Sequence, residues 1–113
     1  MKQEIAYGDF EKVDIRVGRI LSVEDFPKAR KKAYKLLIDF GSEIGIKRSS
    51  AQIVDNYSKE DLVNKLILAV VNFPPKQIAN FISEVLVIGV EDKNGYVSLL
   101  CVDREVELGK RVF

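Results

Sequence analysis

The short connections between apolar, strand-like segments constrain the fold of this chain more than any other feature of its sequence. Apolar residues in alternating or continuous runs predict strands at residues 14–23, 36–40, 44–53, 66–72, 83–90 and 96–102. The capping-box sequence Ser58-Lys59-Glu60-Asp61 predicts a short helix that starts near Lys59. Parallel neighbouring strands need a crossover of about a dozen residues or more, and most connections here are shorter. We therefore expect an antiparallel sheet, with a parallel α/β sheet as the alternative.

The order of these segments specifies the architecture further. Three strands, a short helix and further strands follow one another, which matches the all-β, five-stranded OB-fold barrel. Asp92-Lys93-Asn94-Gly95 predicts a hairpin turn near the end of the chain, and Asp9 to Lys12 predicts one helical turn near its start. A length of 113 residues fits one domain over residues 1–113. We expect one OB-fold barrel with short helices and terminal extensions.

The first strand has an irregular pattern of apolar residues. Ile15, Val17, Leu21 and Val23 fall on one face of an ideal strand, and Ile20 falls on the other. Gly18 suggests a bend or a bulge that could shift this alternation, because an extra residue in a strand moves the following side chains to the opposite face.

The composition argues against most kinds of catalysis. Histidine is absent and Cys101 is the only cysteine, so nucleophile pairs that use histidine and an internal disulfide cannot form. A zinc site would need carboxylates with one thiolate, and neither common Gly-rich phosphate loop is present. We expect a binding protein rather than an enzyme, with no metal and no cofactor.

The net charge and the apolar runs of the chain indicate what it can bind and where in the cell we expect it. The net charge of +1 gives no overall attraction to nucleic acid, so any such binding needs a local patch. The apolar run from Leu66 to Val71 is too short to span a bilayer, and the residues after Met1 do not resemble a signal peptide. We expect a cytoplasmic protein without membrane insertion.

The connection over residues 28–35 is strongly basic. It holds Lys28, Arg30, Lys31, Lys32 and Lys35 and no acidic residue. Clustered lysine and arginine suit phosphate groups, and three cations further along the chain, Lys47, Arg48 and Lys76, would extend the patch if they share its face. The small hydroxyl residues beside Arg48 suit the same contacts. The alternative interpretation is a solvated loop whose charges aid solubility.

The segment from Asn72 to Phe81 combines aromatic residues with two prolines. Pro74 and Pro75 fix the backbone, and Phe73 and Phe81 flank this rigid stretch. Exposed aromatic rings beside proline form a shallow apolar groove, which suits an extended peptide or a nucleic-acid base. The alternative is a loop that covers the end of the barrel with both phenylalanines inside.

Several of these segments resemble a known family. Asp14-Ile15-Arg16-Val17-Gly18-Arg19-Ile20, the stretch from Val70 to Lys76 and Ser83-Glu84 are similar to the signatures of the tRNA-binding domain family. The longer stretches from Ile38 to Lys47, Ser49 to Ile53 and Ser83 to Val87 resemble the bacterial CsaA proteins of that family. Ser50-Ala51, Asn80 and Val85-Leu86 depart from the pattern of the tRNA-binding relatives.

This resemblance implies a cytoplasmic homodimer with a chaperone-like role in protein export, which binds unfolded preproteins and the translocation ATPase SecA. Binding of tRNA is the alternative that it leaves open. The candidate peptide-binding residues are Asn72, Phe73, Pro74, Pro75, Phe81 and Ile82. The candidate tRNA-binding residues are Lys28, Arg30, Lys31, Lys32, Arg48, Ser50, Lys76 and Ser83. Apolar residues near the termini, namely Ile5, Tyr7, Phe10, Val112 and Phe113, are the candidate dimer interface.

Overall fold

The structure is a computed structural model that describes residues 1–113. Its helices are α1 (Tyr7–Glu11) and α2 (Lys59–Leu62). Its strands are β1 (Ile15–Asp25), β2 (Tyr34–Asp39), β3 (Ile46–Ala51), β4 (Leu66–Val70), β5 (Lys76–Ile78), β6 (Phe81–Ser83), β7 (Leu86–Val87), β8 (Gly89–Glu91) and β9 (Val97–Leu99).

Five strands form the main sheet in the order β3-β2-β1-β4-β7, and every neighbouring pair is antiparallel. The two edges of this sheet then approach each other. The Glu84 N–H donates to the Arg48 carbonyl at 2.8 Å, and the Ser50 N–H donates to Ser83 Oγ at 3.0 Å. The result is a nearly closed barrel with the OB-fold order, which confirms the predicted fold and excludes the parallel alternative.

A bulge causes the irregular pattern of apolar residues in β1, but this bulge does not lie at Gly18. Gly18 stays in register opposite Ile67, and the pairing with β2 shifts between Ile20 and Ser22. Leu21 is therefore partly exposed, whereas Ile20 is fully buried. Gly18 has a packing role instead, because a Cβ there would lie 2.6 Å from Ile38 Cγ2.

The core fills the barrel with side chains from β1, β2, α2 and β4. The largest fully buried apolar side chains are those of Ile20, Leu36, Ile38, Phe40, Leu62 and Ile67. Ser49 of β3 is a fully buried polar residue, and its hydroxyl donates to the Val85 carbonyl at 3.1 Å. This bond satisfies a polar group that burial would otherwise destabilise.

Two local predictions are confirmed at α2 and at the β8–β9 turn. Ser58 Oγ accepts from the Asp61 N–H at 3.1 Å, and Asp61 Oδ2 accepts from the Ser58 N–H at 3.0 Å. Asp92 Oδ1 accepts from the backbone N–H groups of Asn94 and Tyr96, and Asp92 Oδ2 accepts from the Asn56 amide. These hydrogen bonds, led by that from Asn56, lower the pKa of the Asp92 carboxyl.

Two other expectations are wrong. The predicted strand over residues 83–90 is divided among β6, β7 and β8, and β6 belongs to a separate two-stranded sheet. The segment predicted as a loop over residues 72–81 contains β5 and ends in β6. β5 and β6 pair with each other to form a small hairpin beside the barrel.

The terminal segments behave differently from each other. The C-terminal segment runs along the start of β1, where Val112 donates to the Ile15 carbonyl and Val17 donates to the Lys110 carbonyl. The N-terminal helix α1 buries none of its residues. Tyr7 is 67% exposed and Phe113 is 91% exposed, so apolar area near both ends is uncovered. No helix of the chain has the length and apolar character needed to cross a bilayer.

Candidate functional site

A groove runs beside the barrel between the basic connection and the β5–β6 hairpin. It consists of two adjoining cavities of about 600 and 780 Å³. Both cavities are lined by Ser50, Gln52, Lys76 and Ile78, which makes them one continuous surface. In an OB-fold, ligands bind at the second and third strands between the loops that follow strands one and four, and this groove lies there.

We call the first cavity the apolar half. Phe73, Pro74, Val85, Leu86 and Val87 line it. Phe73 is 53% exposed, because β4 ends at Val70 and the prolines direct the chain away from the barrel. Leu86 of β7 is 49% exposed. Phe73 therefore does not lie inside the barrel, and the alternative interpretation of a covered barrel end is wrong for this residue.

Phe81 occupies a different place from Phe73. Its ring packs edge-on against Phe26 with a centroid separation of 5.5 Å. Lys35 Nζ lies within 6 Å of both rings, and the Arg48 guanidinium lies 5.8 Å from the Phe81 ring. Phe81 lines a small depression beside the groove, so the two phenylalanines do not form one surface as expected. The contact between Phe26 and Phe81 instead joins the segment just before the basic connection to the hairpin.

Ile82 and Asn72 also lie outside the groove lining. Ile82 stands opposite Gln77 in the hairpin. Both polar atoms of the Asn72 side chain are used within the chain: Oδ1 accepts from the Asp14 N–H at 3.0 Å, and Nδ2 donates to the Lys12 carbonyl at 2.8 Å. Asn72 thus fixes the segment that enters the apolar half. Pro75 separates Pro74 from β5.

We call the second cavity the basic half. Lys28, Arg30 and Lys31 line it together with the shared Lys76, and no acidic residue does. None of these four cations has a carboxylate within 4.0 Å. A cluster of like charges without counter-charges attracts anions at close range.

The other predicted cations lie elsewhere. Lys32 borders a depression on the far side of the connection with Asp25 and Val54. Lys35 belongs to β2 and lies 3.6 Å from Glu24. The Arg48 side chain lies 3.4 Å from Glu84 Oε1, which also accepts the Arg48 backbone N–H. The single basic patch expected from the sequence is therefore divided, and only part of it faces the groove.

Ser50 and Ser83, two candidate tRNA-binding residues, line the apolar half beside each other, and Ser50 also lines the basic half. No group of three or more carboxylate, thiol or imidazole side chains is arranged to hold a metal ion. Cys101 is exposed. The groove offers apolar area, cations, small hydroxyls and backbone groups.

Comparison with known proteins agrees with this description. Residues 15–111 match the family model tRNA_bind, described as "Putative tRNA binding domain". A crystal structure of a CsaA chaperone protein from Picrophilus torridus is 59% identical with a TM-score of 0.92, over 97% of this chain and 100% of that one. A chaperone CsaA from Bacillus anthracis is 45% identical with a TM-score of 0.91, over 98% and 100% of the two chains.

The chain belongs to the CsaA proteins of the tRNA-binding domain family. A second group of relatives is longer. Methionine--tRNA ligase from Methanocaldococcus jannaschii is 38% identical over 111 residues, which are 97% of this chain but 16% of the ligase. The chain thus corresponds to one part of such an enzyme.

Sequence reasoning missed several groove residues of this CsaA-family chain, among them Leu86, Val87 and Gln52. Leu86 and Val87 belong to the predicted apolar strand over residues 83–90, and Gln52 ends the polar segment beside Arg48 that suits phosphate contacts or forms an ordinary strand face. The departure of Val85-Leu86 from the pattern of tRNA-binding relatives was the available signal for Leu86. The exposure of Leu86 follows from the break after Ser83, which a run of apolar residues does not reveal.

Proposed function

We propose that this protein is a molecular chaperone that binds exposed segments of unfolded preproteins in the apolar half of the groove. The observation that carries this proposal is the presence of two half-exposed large apolar side chains, Phe73 and Leu86, in one cavity beside a rigid proline pair. Exposed apolar area that a chain leaves uncovered marks a binding surface. The similarity in sequence and structure to proteins named CsaA chaperones supports the same function.

The proposal includes the setting in which this binding takes place. The protein would act in the cytoplasm, without catalysis of its own, and deliver clients to the translocation ATPase SecA. It would act as a homodimer through the exposed apolar residues near its termini. Two grooves on one dimer would hold a long unfolded client more tightly than one groove, because the second contact is intramolecular.

A second function, binding of tRNA, is favoured by a separate observation. Lys28, Arg30, Lys31 and Lys76 line the basic half with no acid among them. Phosphate groups would contact these cations, and the ring of Phe73 in the adjoining half could stack on an unpaired base. The match to the tRNA-binding domain family supports this candidate.

One experiment separates the two functions. Binding of an unfolded preprotein and of bulk tRNA is measured at 50 and 300 mM salt for the natural protein and for Phe73→Ala with Leu86→Ala. The chaperone function predicts client binding that changes little with salt. It also predicts at least about a tenfold loss in the double variant, since each truncation removes apolar area that the bound client would cover. Val90→Ala, an exposed apolar residue of β8, is the control variant.

Client binding that is unchanged in the double variant would contradict the chaperone role of the apolar half. Binding of tRNA alone, with a steep decrease in salt, would favour the second function.

A further inference from the structure

The backbone of β5 offers hydrogen-bonding groups to the basic half of the groove. Four consecutive residues of this segment, Lys76, Gln77, Ile78 and Ala79, line that cavity. Side chains of a strand alternate between its two faces, so a cavity on one face would be lined by every second residue. Lining by consecutive residues places the cavity along the edge of the strand.

The pairing of the hairpin identifies which backbone groups are free at this edge. Ile78 and Phe81 close a two-residue loop, and the register continues with Gln77 opposite Ile82 and Lys76 opposite Ser83. Residues that close such a loop exchange both hydrogen bonds, and the next pair exchanges none. The N–H and C=O of Gln77 therefore point away from β6, and no other backbone group of the chain bonds to them.

An unpaired strand edge beside an open cavity is a template for another strand. The cavity of about 780 Å³ leaves room between β5 and the basic connection. Binding through main-chain hydrogen bonds suits an unfolded client, since every polypeptide carries the same N–H and C=O groups. The opposite wall carries Lys28, Arg30 and Lys31 without counter-charges, which is complementary to acidic side chains on the added strand.

We infer that an extended client segment with apolar and acidic side chains binds by adding a third strand to the free edge of β5. This inference rests on the proposed chaperone function and specifies its mode of binding. Main-chain bonds to Gln77 hold the segment, its acidic residues face the basic half, and its apolar residues extend into the apolar half.

Gln77→Pro tests the edge directly. Proline removes the N–H of residue 77 and places a ring where the added strand would lie, while the hydrogen bonds between β5 and β6 use other residues. Lys76 is already extended, which suits a residue before proline. Gln77→Ala is the matched control, because it removes the same side chain and its bond to the Ala79 carbonyl but keeps the N–H.

The probe is a labelled decapeptide of alternating valine and glutamate, and its affinity is measured by fluorescence anisotropy. We expect Gln77→Pro to bind about tenfold more weakly than Gln77→Ala, because only the alanine variant keeps the N–H. Equal affinities of the two variants would overturn the inference. An equal loss of tRNA affinity in Gln77→Pro would also overturn it, because it would show general distortion of the groove.

A second measurement needs no variant and therefore does not depend on the folding of one. The same decapeptide, N-methylated at its central residues, is titrated onto the natural protein. We expect at least a tenfold loss, because the methylated backbone cannot donate to the Gln77 carbonyl. Undiminished binding would overturn strand addition and leave the chaperone proposal standing. Failure of the natural protein to bind either this peptide or an unfolded preprotein would overturn both.

Discussion

The barrel interior and the groove use the same kinds of apolar residue for opposite purposes. In the interior, Phe40 is fully buried and Gly18 makes space for its ring. No buried side-chain polar atom in the chain lacks a hydrogen-bond partner. In the groove, Phe73 in the connection after β4 and Leu86 in β7 remain half exposed. Stability therefore resides in the barrel interior, and binding resides in the groove, so the two properties are separable by mutation.

The largest expected effect contrasts the same substitution in the two regions. Phe40→Ala should destabilise the protein by about 3–5 kcal/mol, because it leaves a cavity among fully buried neighbours. Phe73→Ala should lower stability by less than about 1 kcal/mol, because about half of its ring already contacts solvent. Denaturant unfolding followed by circular dichroism measures both values.

Client binding completes this contrast. At a temperature where both variants are folded, Phe73→Ala should weaken client binding and Phe40→Ala should leave it close to that of the natural protein. Comparable destabilisation by the two substitutions would show that Phe73 belongs to the core and would remove the distinction between the regions.

The next prediction concerns charge within the groove. Changing Lys28, Arg30 and Lys31 together to alanine should weaken tRNA binding at least about tenfold and reduce the slope of log affinity against log salt by about 2, since each phosphate contact contributes about 0.7–0.9. Lys2, Lys32 and Lys93 changed together to alanine remove the same charge outside the groove. If the control triple variant loses as much affinity, the binding depends on net charge rather than on the basic half.

Features that depend on neighbouring residues could be predicted from the sequence. The start of α2 at Ser58 and the turn at Asp92 are both confirmed, because the hydrogen bonds that form them lie within a few residues. The fold class followed from connection lengths, which limit how strands can pair. The family resemblance predicted that the phenylalanines and cations belong near a binding surface.

Features that depend on distant residues could not be predicted in the same way. Arg48 is bound to Glu84, and Phe81 packs on Phe26, through contacts that only the closed barrel creates. The division of residues 83–90 among separate strands follows from barrel closure against β3, where Glu84 bonds to Arg48. The bulge lies at Leu21 rather than at the predicted Gly18. Glycine occupies position 18 because the packed side chains of Ile38 and Phe40 leave no room for a Cβ, and this packing depends on residues distant in the sequence.

The third prediction concerns the apolar surface near the termini, which belongs neither to the interior nor to the groove. We expect a homodimer, because symmetric association would cover Tyr7 and Phe113 on both chains. Tyr7→Lys with Phe113→Lys should halve the mass measured by light scattering at micromolar concentration. Val90→Lys is the control, as it places a charge on an exposed apolar position of β8. A natural protein of monomer mass would contradict the prediction.

The smallest expected effect lies in the turn of the groove hairpin. Ala79 has a backbone φ of +52°, and the only other non-glycine residue with positive φ is Asn64. Asparagine tolerates this conformation, whereas alanine is strained there by roughly 1 kcal/mol or more because its Cβ crowds the backbone. Ala79→Gly relieves this strain but adds about 0.4–1 kcal/mol of unfolded-chain entropy to be lost on folding. We expect a net stabilisation of about 0.5 kcal/mol, or an increase in Tm of roughly 2–4 °C.

Ala29→Gly is the control, because the φ of Ala29 is not positive. This substitution should lower Tm, since glycine there brings only the entropic loss. Ala79→Gly keeps the hydrogen bonds of β5 and removes only one methyl group from the lining of the basic half, so its affinity for the valine–glutamate peptide should stay within about twofold of that of the natural protein. A gain in stability without a change in affinity would extend the separation of the two properties to the groove itself, and a lower Tm for Ala79→Gly would show that the turn does not carry strain.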